Sequence, residues 1–177
     1  MSLISLIVPF LMILITMIVL FDSAKNGITP TPTTSKEKTA ALKISETFKP
    51  DSIADLGAGF GTMAFPLAKQ FPNSRVVAYE TAALPWIFLL IRSRIQPRPN
   101  LTVRRRNFMK EDLSKHDLLY TYLYPKAMDQ LQEKINHTPV ILISNFFQMP
   151  GWKPSLIWPV ESRTRYSSSI YLYRRNG

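Results

Sequence analysis

The stretch from Ser52 to Phe71, SIADLGAGFGTMAFPLAKQF, constrains this chain more than any other. A short apolar run meets glycines at alternate positions, and an apolar-periodic segment follows. The chain has only six glycines, and Gly57, Gly59 and Gly61 fall within five residues. Glycine is used where the backbone takes positive φ or where something must approach it closely. A strand that feeds such a turn and then opens a helix presents free helix amides to an anionic or nucleotide-like ligand. The stretch therefore predicts a strand, a ligand-facing turn and a helix in succession.

The pattern repeats after Pro50. SIADL, RVVAYE, LTVRR, HDLLYTYL, PVILIS and SSSIYLYRR read as strands, and TMAFPLAKQF, LPWIFLLIRSRI and KAMDQLQEKI as helices between them. Strands separated by helices at this spacing predict an α/β fold, a Rossmann-like parallel sheet with helices on both faces. Pro66 should shorten or bend the first of these helices. Upstream, Pro30 and Pro32 keep the chain extended. TTSKEKTAALKIS can then start a helix, capped by Thr33, Thr34 or Ser35. The expected organisation is a transmembrane anchor over residues 1–21, a connector and N-terminal helix over 22–50, and a ligand-binding domain over 51–177.

The anchor rests on Leu3 to Phe21, nineteen residues without a charge; roughly twenty apolar residues are needed to cross a bilayer as a helix. A cleaved signal peptide would want a basic leading region and small neutral residues at the cut. No Lys or Arg precedes the run, and Asp22 follows it directly. Lys25, Lys36 and Lys38 lie just beyond, so the positive-inside bias puts the following domain on the cytoplasmic side, or the matrix side of a mitochondrion. The absence of cysteine excludes a disulfide framework.

The formal net charge is +10, and its densest part runs from Arg92 to Arg106 without an acid. Three readings compete for these arginines: a solvated face, contact with anionic headgroups, and nucleic acid. The last is weakened by the lack of interleaved aromatics that single-strand binding uses. His116 and His137 precede strands and are expected to face away from the ligand; no metal site is expected from two separated histidines.

The glycine spacing is G-x-G-x-G, with Thr62 where a dinucleotide fingerprint has its last glycine or alanine. Asp55 stands two residues ahead of the first glycine, a poor neighbour for a pyrophosphate but a good one for an ammonium group. Glu80 ends the second strand, where an acid can take both ribose hydroxyls or cap the helix that follows. S-adenosylmethionine carries an ammonium, a sulfonium and a ribose. With Asp55, Gly57, Gly59, Gly61 and Glu80 in these places, the chain resembles a class I S-adenosylmethionine-dependent methyltransferase. Many such enzymes have an adenine-binding acid after the third strand. Here Asn107 stands there with Phe108 beside it; the amide oxygen can accept the same bond and the ring can pack on adenine, or Asn107 is an ordinary turn residue.

Several further stretches narrow the likeness. ITPTPTTSKEKTAAL, YETAALPWIFLLIRSR, DLLYTYLYP and SNFFQMPGWKP, together with the apolar run, resemble the family of membrane-anchored protein-lysine N-methyltransferases that includes the ATP synthase c-subunit lysine methyltransferase and its bacterial relatives. The resemblance implies cofactor contacts from Thr31 in the Pro-Thr-Pro segment and a protein substrate presenting a lysine. Tyr122 and Tyr124 are expected as catalytic residues, Tyr122 orienting the amine. Phe146, Phe147, Met149 and Trp152 would line the rest of an aromatic channel. The chain departs from the family at Phe60 and Thr62, where a polar pair is usual, and at Asn107. The competing readings are RNA methylation, methylation of a lipid or quinone, and a non-catalytic member of the fold.

Overall fold

The computed structural model describes residues 33–161 and 168–175, with Ser5, residues 7–10 and Met12 ahead of them. The anchor expected over Leu3–Phe21 therefore falls largely outside the described residues. Its described positions are helical, and among the described residues no helix is long and apolar enough to cross a membrane.

The first helix of the domain, α1 (Ser35–Ser45), starts on a capping box. The Thr34 hydroxyl accepts from the Glu37 amide, and the Glu37 carboxylate accepts from the Thr34 amide at 2.8 Å. Of the three expected caps, Thr34 takes the role. Glu37 is buried, and its other oxygen accepts from Ser168 Oγ at 2.7 Å, which ties α1 to the last strand.

Strands β1 (Ser52–Leu56), β2 (Arg75–Tyr79), β3 (Leu101–Arg104), β4 (Leu118–Thr121), β5 (Val140–Asn145), β6 (Leu156–Val160) and β7 (Ser168–Arg175) form one sheet in the order β3-β2-β1-β4-β5-β7-β6. The first five are parallel. Helices α2 (Ala64–Gln70), α3 (Ala83–Ile95) and α4 (Pro125–Ile135) make the crossovers, and two short 3-10 turns, Phe108–Lys110 and Leu113–Lys115, join β3 to β4.

One expectation is corrected. The sheet is not wholly parallel: β7 runs antiparallel between β5 and β6. LIWPV is a strand that the sequence pattern hid, because a proline within a short run argues against a strand. Its Pro159 is accommodated because β6 is the edge of the sheet. As expected with Pro66, α2 is shorter than the pattern TMAFPLAKQF and begins only at Ala64. Pro66 is its third residue, in the first turn, where an amide has no intrahelical acceptor to lose.

β1 and β4 are buried along their whole length, as a central parallel sheet covered on both faces requires. One face packs α1 and α2 against Ile53, Val76, Leu118 and Ile143, with Leu89 of α3 beside Phe65 and Ala78. The other packs Met128, Leu131 and Ile135 of α4 against Ala54, Val77, Leu119 and Leu142. The chain builds outward from β1 through β2 to β3, then returns to β4 and β5 on the other side. That reversal opens a crevice at the carboxyl ends of β1 and β4, where sheets of this type bind ligands.

Removing the Thr34 hydroxyl leaves the Glu37 amide without its cap. Thr34→Ala is expected to destabilise the protein by about 1 kcal/mol, read as a lower midpoint in urea with an unchanged slope.

Candidate active site

β1 ends in the glycine turn. Gly57, Gly59 and Gly61 all have positive φ, at 80°, 54° and 74°. At Gly59 a side chain would meet no protein atom within 4 Å, so this position is reserved for its conformation and for access to the crevice. Gly61 is different: a Cβ there would sit 2.6 Å from Leu89 Cδ2 and 2.8 Å from the Phe65 ring, so α3 can pack on the turn only over glycine. Arg92 of α3 reinforces the contact by donating to the Phe60 and Gly61 carbonyls at 3.1 and 3.0 Å and covering the Phe65 ring.

Glu80 joins the same turn to the start of α3. Its Oε2 accepts from the Gly59 amide, and its Oε1 accepts from the amides of Thr81 and Ala82, each at 2.7 Å. The carboxylate thus holds the segment that leads into α3 and forms a wall of the crevice, and it keeps lone pairs for a hydroxyl ligand.

Asp55 lies between Ala78 of β2 and Tyr120 of β4 in the sheet register and is 2 % exposed. Burial pushes its pKa from 3.8 up to about 7, against the lowering effect of the Ala64 amide and with a smaller upward push from Glu80. Its Oδ2 has no hydrogen-bond partner among the described residues. A buried carboxylate oxygen without a partner is costly, and a ligand ammonium group would supply both charge and donors.

These groups converge on a cleft of about 610 Å³. Its wall contains Asp55, Gly57, Gly59, Glu80, Asn107, Phe108, Tyr122 and Tyr124, all singled out from the sequence. Gly61 supports the turn from behind instead of lining the cleft, and Thr31 lies outside the described residues. Asn107 caps the 3-10 turn, its Oδ1 accepting from the Met109 amide at 2.9 Å. Phe108 is buried between the cleft and the α4 side of the core. Tyr122 leads an aromatic row, with Phe146 6.3 Å away and Phe147 4.8 Å beyond it, centroid to centroid.

The expected aromatic channel is only partly assembled. Met149 and Trp152 belong to the core: the Met149 amide donates to Tyr173 Oη at 2.8 Å, and Trp152 packs on Tyr173 under Arg175. His116 lies away from the cleft wall. It is buried at the opposite end of β4, between Ser52 Oγ at 2.9 Å and the Tyr79 hydroxyl at 3.3 Å, and burial lowers its pKa. Tyr120 and Thr33 are among the cleft residues that the sequence did not mark as ligand-facing. Tyr120 is buried beside Asp55, its hydroxyl 3.2 Å from Thr33 Oγ1, and desolvation raises its pKa. The alternation Tyr120, Tyr122, Tyr124 was the available signal for it. Thr33 follows from no local pattern, since it enters by the packing of α1.

The arginine cluster is also more integrated than a solvated strip. Arg92 is tied to the glycine turn, Arg104 and Arg106 pair with Glu111 at 3.8 and 3.2 Å, and Arg105 covers Trp86.

The strand order, the glycine turn and the paired acids of this cleft define a class I S-adenosylmethionine-dependent methyltransferase. Residues 55–156, more than half of the chain, match the ANTKMT methyltransferase domain, and the protein belongs to that family. Among characterised relatives it is similar to a protein-lysine N-methyltransferase of Saccharolobus islandicus, 23% identical over 80% of this chain and 90% of the relative. Among solved structures it superposes on an RNA methyltransferase from Salinibacter ruber in complex with S-adenosyl-L-homocysteine, with a TM-score of 0.70 at 18% identity, covering 81% of this chain and 93% of that one. It also matches the ribosomal protein L11 methylase from Lactobacillus delbrueckii subsp. bulgaricus, with a TM-score of 0.61 at 14% identity over 78% of this chain and 77% of the other. At these identities the two structures establish the fold.

The cofactor is S-adenosylmethionine, and the cleft has chemistry that fits it: the unpartnered buried oxygen of Asp55 would suit its ammonium and the Glu80 carboxylate its ribose. Two expectations follow. Asp55 has a raised pKa, so between 3.8 and about 7 the unfolded chain has lost a proton that the folded protein keeps. Stability of the cofactor-free protein should therefore fall as pH rises through that window, and the loss should be complete above it. Asp55→Asn should abolish this slope and melt higher than wild type at about pH 8, while losing cofactor affinity; scanning calorimetry at several pH values checks it. Glu80→Ala should weaken binding of S-adenosylmethionine by about 1.5 to 3 kcal/mol by titration calorimetry, and wild-type affinity would contradict the ribose assignment.

Proposed function

We propose that this protein methylates a lysine side chain of a membrane-associated protein. The observation that carries the reading is the pair Tyr122 and Tyr124 on the wall of the cleft that holds Asp55 and Glu80. The similarity to the Saccharolobus islandicus protein-lysine N-methyltransferase supports the same substrate class.

When bound, S-adenosylmethionine supplies a methyl group on a positively charged sulfur, and the protein's task is to present an amine in line with it. A free lysine is neutral at pH 7 in only roughly one molecule in two thousand, a handicap of about 4 to 5 kcal/mol. An apolar, aromatic entry disfavours the ammonium and lets the proton leave to water before transfer. Tyr122, with Phe146 beyond it, offers such a wall, and burial raises the pKa of the Tyr122 phenol. The phenol therefore stays neutral and accepts a hydrogen bond from the amine, which directs the nitrogen lone pair. Asp55 and Glu80 hold the other end of the reaction in register. The proposed role for Leu3–Phe21 is a membrane span that keeps the domain on the cytoplasmic or matrix side. A tether of that kind raises the effective concentration of substrates presented at the same surface and does nothing for soluble ones.

The test incubates the detergent-solubilised full chain and labelled cofactor with membrane, soluble-protein and RNA fractions. Label is expected on lysine of a membrane protein; label confined to RNA or to soluble proteins would overturn the reading. Tyr122→Phe should lower kcat on the order of tenfold or more with cofactor affinity unchanged. An unaltered kcat would remove Tyr122 from the proposed role.

A further inference from the structure

α3 has two apolar stripes, and the sheet uses one. Pro85 and Leu89 are buried, and Arg92 is turned inward to the glycine loop. On another side, Ile87, Phe88, Ile91 and Ile95 recur at helical spacing and are 44%, 47%, 54% and 73% exposed. Exposed apolar residues scattered singly need no explanation, but a stripe along one helix marks a contact surface. The stripe does not end with the helix. Phe88 meets the edge of Phe60 at a centroid distance of 5.3 Å, and Phe60 lines the cleft. The apolar surface therefore runs from α3 onto the glycine turn at the mouth of the active site.

The charge around the stripe indicates what covers it. From Thr81 to Lys110 there is no acid, and the stretch contains six arginines. Arg94 is exposed on α3 itself, and Arg105 is exposed over Trp86. A second copy docked face to face would bring like charges together. An apolar helix face with an arginine border matches the interface of an anionic bilayer, where side chains enter the acyl boundary and cations meet phosphate.

We propose that α3 is an interfacial insertion element, by which the catalytic domain docks on an anionic phospholipid surface with Ile87, Phe88, Ile91 and Ile95 in the acyl boundary. The surface stands on the helix and its charge alone, and neither the lysine reading nor the N-terminal span is needed for it. Docked in this way, the domain carries Phe60 and the cleft mouth at the lipid surface.

The chain has no cysteine, so one introduced thiol reports one position. Ile91→Cys, in the full chain, is labelled with a nitroxide and bound to vesicles of phosphatidylcholine with phosphatidylglycerol, without cofactor or substrate. Vesicle-bound protein is collected by flotation, so the reading concerns the depth of the label and not what holds the chain. Ile95→Cys serves as a second reporter, and Glu133→Cys, exposed on α4 of the opposite face, as the aqueous control. The expected result is a several-fold rise in collision with oxygen and fall in collision with a water-soluble nickel complex at Ile91→Cys and Ile95→Cys, with no change at Glu133→Cys. Adding Arg94→Glu should reverse that protection. Labels on α3 that stay nickel-accessible on the vesicles would overturn the proposal. So would equal shielding without vesicles, which would assign the face to a second copy or to residues 1–21. Methyl transfer does not enter the measurement, so its result is independent of the substrate assignment.

Discussion

The contact between the Glu80 carboxylate and three backbone amides organises this molecule. Those amides belong to the glycine turn after β1 and to the residues that open α3, so one side chain joins two otherwise separate crossovers. Each bond is short and charge-assisted, the strong kind of hydrogen bond in a protein interior. Arg92 completes the junction from the other end of α3 by holding the Phe60 and Gly61 carbonyls. With the turn clamped on both sides, the crevice at the ends of β1 and β4 has a fixed wall, and Gly59 can face the ligand without a side chain.

Asp55 shows the cost of that arrangement. The strand order places it inside the sheet between β2 and β4, where it is almost fully buried and Glu80 is a second negative neighbour. A carboxyl held near neutrality with an unpartnered oxygen destabilises the fold by itself. A bound cation would offset that cost, so a residue that burdens the cofactor-free protein is suited to recognise a cationic ligand. This trade of stability for recognition is common at sites where one local rule of folding is broken.

The helix that leaves the site links chemistry to location. α3 begins just after the residues that Glu80 holds and ends in arginines, with one stripe on the sheet and the other turned outward. Phe60 makes the outward stripe continuous with the cleft. A surface of this composition delivers the cleft mouth to the place where a membrane-bound amine would be presented. Trp86, under Arg105 on the same helix, adds an amphipathic ring of the type enriched at bilayer interfaces.

Much of this was legible in the residues before folding. The glycine spacing with Asp55 and Glu80 specified a strand, a turn, a helix and a ligand with both cationic and ribose features, because those are local requirements on φ and charge. The alternation of strands and helices specified the α/β class, because periodicity records which faces are buried. Tertiary structure decided the rest. It turned the last strand antiparallel and made LIWPV its edge partner, since strand direction depends on pairing and not on the strand's own composition. It withdrew Met149 and Trp152 into the core and brought Thr33 to Tyr120, since which side of a loop residue meets solvent is settled by distant elements. It also divided the arginines between the glycine turn, Glu111 and the surface. The sequence counts a charge, whereas only the fold determines what that charge faces.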